Sequence, residues 1–319
     1  MMTPPSEILM AIIYELEVDT PPGAYTCLPE VKATLRSLAL VSCAFHEWST
    51  PVLYGRVTVA GDQIARLSAT LSSATPRASS LAKRIHTLRL SAPYKNSYIQ
   101  NHDSDNWSNC DMDVAEAATL LHLLAPHATL RRLFMDMAFT CHSLYRLHPS
   151  NKSLNLQNAI SSLTSLSDLV LGNLEGTDHY FYWMIELGKY SYHCLSTLET
   201  ITILDVNVVH PPTRGVFRQL TNIKEMVLLR PWMTSQEFGG EVLAELFGPE
   251  DLHSLTIILA SGWGLMPLQT LKFEDLGSAM APHRDKVLLL PEGETQESLL
   301  SWVTIRDMIG MGSRWNELP

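Results

Sequence analysis

Cysteine is scarce in this chain. The five present among 319 residues, at 27, 43, 110, 141 and 194, are odd in number and show no Cys-x-x-Cys spacing. That excludes a disulfide framework and a four-ligand zinc site, and they read as reduced, mostly buried thiols. Basic charge is also short, with 23 lysines and arginines against 33 aspartates and glutamates and a formal net charge of -10. Without a run of basic residues to neutralise phosphates, neither nucleic acid nor an anionic membrane is expected as the main partner. No apolar run outlasts about a dozen residues, well below the roughly 20 that a bilayer span needs. Residues 1–10 lack the basic opening of a signal peptide, so a cytoplasmic or nuclear protein is expected.

Catalytic signatures are missing as well. The chain holds no Gly-x-Ser-x-Gly, no Gly-x-x-x-x-Gly-Lys, no Gly-x-Gly-x-x-Gly and no His-Glu-x-x-His. Asp103-Ser104-Asp105 opens like a calcium loop, but Ser108 stands where glycine is needed and Val114 where a bidentate glutamate is needed. The turn-forming residues from Asn101 to Asp113 predict a plain loop there. Twelve histidines include Cys141/His142, His142/His148 and His193/Cys194, yet none of these has metal-ligand spacing. No enzymatic activity, cofactor or metal is expected.

Helical periodicity is present at the start. Pro4-Pro5 suits a first helical turn and Glu7 favours the positive end of the helix dipole. Ile8, Leu9, Ile12, Ile13 and Leu16 then recur at helical spacing, and Leu35, Leu38, Val41, Phe45 and Trp48 do the same in a second helix spanning Leu38–Trp48. Two helices this short cannot hide that much apolar area against each other, so a partner must cover the remainder. Pro21-Pro22-Gly23 and Pro29 mark 19–29 as a loop between them.

The order Leu40-Val41-Ser42-x-x-Phe45, behind the proline-initiated helix, resembles an F-box over residues 4–54. Pro4 stands where that family usually has leucine, and the 19–29 loop is longer than the usual turn. The resemblance implies docking on a Skp-type linker, and through it on a cullin, by Pro5, Ile8, Leu9, Ile12, Leu38, Leu40, Val41, Phe45 and Trp48. It also implies that the rest of the chain captures a protein substrate.

Beyond residue 55 a second pattern takes over: apolar, two variable, apolar, one variable, apolar. It occurs at Ile85/Leu88/Leu90, Leu130/Leu133/Met135, Leu166/Leu169/Leu171, Leu198/Ile201/Ile203, Ile223/Met226/Leu228 and Leu252/Leu255/Ile257. This is the strand signature of a leucine-rich repeat. Its central residues are 45, 36, 32, 25 and 29 positions apart, so the array is irregular. Arg56–Val59 and Val287–Leu290 read as an earlier and a later strand, and Leu268/Leu271/Phe273 as helix. Helical period appears at Val114–Ala125, Leu154–Leu163, His179–Tyr190 and Ser235–Phe247.

Strands alternating with helices predict an α/β chain: a helical F-box at 1–55, then a leucine-rich solenoid at 56–319 with a curved parallel sheet and outer helices. Residues 286–319 read as its cap, with Leu299, Leu300, Val303, Ile305, Met308 and Ile309 closing the core beside Trp302 and Trp315. Because a strand alternates faces, the variable residues around each central one line the concave surface. The substrate candidates there are Arg89, Arg132, Phe134, Asp168, Thr200 and Glu225; Arg89, Arg132 and Glu225 are expected to be solvent-exposed, and Phe134 to offer an anchor on the same concave face. The aromatic run Tyr180-Phe181-Tyr182-Trp183 offers a further contact or packs between units. The expected function is a substrate-recognition adaptor of an SCF-type cullin-RING ubiquitin ligase. The alternatives are an F-box scaffold acting outside ligases and, from another class, an enzyme with its site in the repeat loops.

Overall fold

The computed structural model describes residues 6–18, 29–91, 107–136, 151–172, 197–204, 222–229, 236–247, 252–259 and 272–291. Three helices come first: α1 (Ser6–Val18), α2 (Pro29–Ala39) and α3 (Cys43–Gly55). Ile13, Val31, Leu35 and Val52, one or two from each helix, form a small core of their own. The expected single helix over Leu38–Trp48 is two helices instead. Ser42 breaks it: its backbone is extended (φ -161°, ψ 166°) and its hydroxyl accepts the Phe45 N–H at 3.2 Å, starting α3 afresh. This serine cap leaves Leu40 and Val41 at the tip of a turn.

Eight parallel strands follow, adjacent in sequence order: β1 (Arg56–Ala60), β2 (Thr87–Ser91), β3 (Arg132–Asp136), β4 (Asp168–Gly172), β5 (Thr200–Leu204), β6 (Glu225–Leu229), β7 (Ser254–Leu259) and β8 (Val287–Pro291). All six sequence patterns and both outlying strands fall in this sheet. Leu88, Leu133, Leu169, Ile201, Met226 and Leu255 stand in register across it, and all are buried. Among the described residues, five helices supply the other half of the main core: α4 (Asp62–Ser72), α5 (Pro76–Ala82), α6 (Trp107–Leu124), α7 (Asn151–Ser161) and α8 (Gln236–Ala244). α6 begins at Trp107, so the expected loop over 101–113 is helical from that residue on. Phe273 lies in a short 3-10 turn, Phe273–Leu276, ahead of a second one at Ser278–Lys286. The expected helix over His179–Tyr190, the aromatic run at 180–183, the 19–28 part of the loop and the cap beyond residue 291 lie outside the described residues.

One backbone motif recurs unit after unit. Arg131 and Arg132 both donate to the His86 carbonyl (2.9 and 3.1 Å), and Ser167 and Asp168 donate to that of Arg131 (2.8 and 3.0 Å). Glu199/Thr200, Lys224/Glu225 and His253/Ser254 repeat the pairing on Ser167, Glu199 and Lys224. Successive units are therefore geometrically equivalent although their sequence spacing varies, since insertions fall in the connections and leave the ladder intact. His86 and His253 both occupy this pre-strand place.

The helical unit joins the sheet without a linker. α3 runs to Gly55 and Arg56 opens β1, while the Gly55 carbonyl accepts the His86 N–H at 3.0 Å. Val52 and Leu53 pack in the helical core, and Tyr54 packs against the main one.

Farther along, Gly240 is buried in α8 against the first 3-10 turn. A Cβ there would overlap the Leu276 carbonyl oxygen and sit 2.7 Å from its carbon. In an open helix Gly→Ala stabilises by about 1 kcal/mol, but overpacking against backbone costs about 1–3 kcal/mol. The second effect is the larger, so Gly240→Ala is expected to lower the melting temperature; a rise in thermal denaturation would show that α8 does not press on Leu276.

Candidate functional site

The residues singled out from sequence fall on two surfaces. On the helical unit, Ile8 and Ile12 are one helical turn apart on α1 and are 53% and 52% exposed, while Leu40 and Val41 at the α2–α3 turn are 87% and 66% exposed. Leu9 is half-buried. Leu38, Phe45 and Trp48 are half-buried against the unit's own core, with the Phe45 and Trp48 rings edge to face at 5.6 Å. They serve the fold as well as any partner. Pro5 lies outside the described residues. Cys43, beside the turn and first in α3, is exposed and free, where the thiols were expected to be mostly buried.

The second surface is the sheet face turned away from α4–α8. Period two places Arg132, Asp168, Thr200 and Glu225 in one register row, and Arg89 and Phe134 two residues farther along their strands. The predicted face assignment holds, since Leu133 points into the main core while Phe134 and Val170 make a separate cluster.

Accessibility departs from expectation. Arg89 is only 8% exposed and Phe134 only 1%, and the Arg89 guanidinium lies 4.9 Å from the Phe134 ring centroid. Neighbouring strands run about 4.8 Å apart, so an arginine and a phenylalanine in one row cover each other through a cation–π contact worth about 0.5–2 kcal/mol. Arg132 and Asp168 are engaged too, Nε to Oδ2 at 2.8 Å, both largely buried. Their sequence positions hinted at this, because opposite charges at the same place in consecutive patterns meet across the ladder.

Of the six candidates, Glu225 stays exposed and Thr200 half-exposed, next to half-exposed Val227, Ser254 and Thr256. The open part of the face thus lies on β6 and β7 with Thr200 at its edge, since Thr202, the next face residue of β5, is only 1% exposed. Val227, Ser254 and Thr256 were read as face residues from sequence; their accessibility carried no signal there.

Elsewhere, Arg284 bonds Glu274 at 2.8 Å and lies over Phe273 at 5.4 Å. A hydrogen bond from the backbone N–H of Glu274 itself, helped by Arg284, holds the Glu274 carboxyl below its ordinary range. Among the described residues no group of three or more His, Cys, Asp and Glu could hold a metal, and no helix is long and apolar enough to cross a membrane. What the two surfaces offer chemically is desolvation of exposed aliphatic side chains at one end and a small polar platform on the sheet at the other.

No model of a known protein family matches the sequence, and no curated protein matches it.

Proposed function

We propose that the chain is the substrate-recognition adaptor of an SCF-type cullin-RING ubiquitin ligase. In this reading residues 1–55 are an F-box docked on a Skp-type linker, and residues 56–319 are an irregular leucine-rich solenoid that holds a protein substrate. The exposure of Ile8, Ile12, Leu40 and Val41 carries the reading. A helical unit of this size has a core of four side chains, yet it leaves four aliphatic ones in water at positions where the F-box resemblance puts docking contacts. Burying such a side chain is worth about 1.5–3 kcal/mol, so covering them compensates much of the entropy cost of association.

The direct passage of α3 into β1 adds support. An adaptor without chemistry of its own acts by holding its substrate at a set place relative to the rest of the assembly, and a helix shared by two cores does that better than a flexible connection. The substrate contact then falls on Thr200, Glu225 and the residues beside them on β6 and β7, with Arg132 and Asp168 bracing the sheet below.

Co-expression of the full chain with a Skp-type linker and a cullin, followed by affinity purification, tests the assignment. A stoichiometric complex holding all three is the expected result. Retention of the linker without the cullin would favour a scaffold acting outside ligases, and failure to retain the linker would remove the F-box reading.

A further inference from the structure

We propose that the strand-start edge at β2–β3, formed by Lys83, Arg84, His86 and Arg131, is a docking site for an acidic segment of a partner protein. The inference stands apart from the ligase reading and needs none of its surfaces.

Lys83 and Arg84 follow α5 directly, His86 precedes β2 and Arg131 precedes β3. Folding joins them through the backbone. The Arg131 N–H donates to the His86 carbonyl at 2.9 Å, the His86 Nδ1 donates to the Thr129 carbonyl at 3.2 Å, and the Thr129 hydroxyl donates to the Ala82 carbonyl at 3.4 Å. Lys83, His86 and Arg131 are exposed and Arg84 is half-buried. In the sequence only Lys83-Arg84 are neighbours, with Arg131 one whole repeat away, which is why no basic cluster shows there.

Two features set this edge apart. Among the described residues no carboxylate pairs with any of the four, although ion pairs form at Arg66–Asp62, Arg132–Asp168, Lys224–Glu199 and Arg284–Glu274. The comparison with Lys224 and Glu199 is direct: they hold the same pre-strand places three units farther on and neutralise each other at 2.7 Å, whereas His86 and Arg131 bring no acid to each other. Moreover, the Arg84 Nη1 is enclosed and makes no hydrogen bond. That nitrogen is itself shut off from a partner, so Arg84 brings to the edge a charge that no described carboxylate offsets rather than a contact through Nη1.

The occupant is a short acidic stretch of protein rather than a nucleic acid. The chain as a whole carries a net charge of -10, and a nucleic acid would extend its phosphates past the patch onto that acidic surface. Screening over about 8 Å at physiological salt lets a short segment sense the patch alone.

The test is fluorescence anisotropy of full-length protein with a fluorescein-labelled decaglutamate peptide at low salt. Lys83→Glu with Arg131→Glu is expected to weaken binding at least about tenfold, as charge mismatch at an interface does. The double variant should keep its melting temperature, because both side chains are exposed. Arg84→Gln is expected to weaken binding severalfold, and Arg36→Glu, a charge reversal on an exposed α2 residue, to leave it within about twofold. Unchanged affinity in the folded double variant overturns the site. Equal weakening by Arg36→Glu overturns it too, since net charge would then account for the binding, and so does tighter binding of a labelled ten-residue oligodeoxynucleotide to the same four residues.

Discussion

Leu133→Asp is expected to abolish the cooperative thermal transition of the full chain. Leu133 has no solvent exposure, and in β3 it sits between Leu88 and Leu169, which are equally buried. A carboxylate there has no cation within the apolar layer and would be buried without compensation, at several kcal/mol. A domain's whole stability is about 5–15 kcal/mol, and here the damage falls in the middle of a sheet whose units stabilise one another only through neighbours. Phe134→Ala, one residue on, separates core from face. It removes the partner of Arg89 and Val170 on the opposite side of the sheet and is expected to cost about 3–5 kcal/mol while leaving a folded, less stable chain. Circular dichroism melts of the two variants decide the matter. A native-like transition for Leu133→Asp would mean that the strand register is wrong, and the assignment of the β6–β7 platform would fall with it.

The register itself was legible because, among the described residues, the helices lie on one face of the sheet. A buried face demands apolar residues at alternate positions, so each unit stamps the same short pattern on the sequence, and Leu88, Leu133 and Leu169 could be aligned however long the intervening stretch. Accessibility was not legible. Phe134 and Glu225 lie on the same face by period two, yet one is enclosed and the other exposed, because exposure depends on what adjacent rows bring and those rows come from segments tens of residues apart. The same holds for charge. Arg132 looked like an anchor until Asp168 arrived beside it, and Arg131 looked unremarkable until it met Lys83, Arg84 and His86. In the helical unit apolar spacing at 3.6 residues ran through Leu38, Val41 and Phe45 without a break, and only the hydroxyl of Ser42, a local hydrogen-bonding choice invisible to periodicity, turned one helix into two. That choice is also what exposes Leu40 and Val41.

Those two residues give the cleanest separation of docking from folding. Leu40→Asp with Val41→Asp is expected to abolish binding to a Skp-type linker while shifting the melting temperature by no more than a couple of degrees. At 87% and 66% exposure the two side chains contribute little to the core of Ile13, Val31, Leu35 and Val52, so their replacement removes almost no internal contact. At a docked interface the balance reverses: each loses about 1.5–3 kcal/mol of apolar burial, and each new carboxylate must shed water without gaining a partner. A combined loss above about 4 kcal/mol corresponds to roughly a thousandfold in affinity. Phe45 is a poorer probe, because its ring packs on Trp48 at 5.6 Å and against the helical core, so Phe45→Asp would confuse a lost contact with a damaged fold. Calorimetric titration of the linker into the folded Leu40→Asp, Val41→Asp protein is the deciding measurement. Wild-type affinity in that variant would show that the exposed turn is not where the linker docks, leaving Ile8 and Ile12 without the neighbours that make the helical unit resemble an F-box.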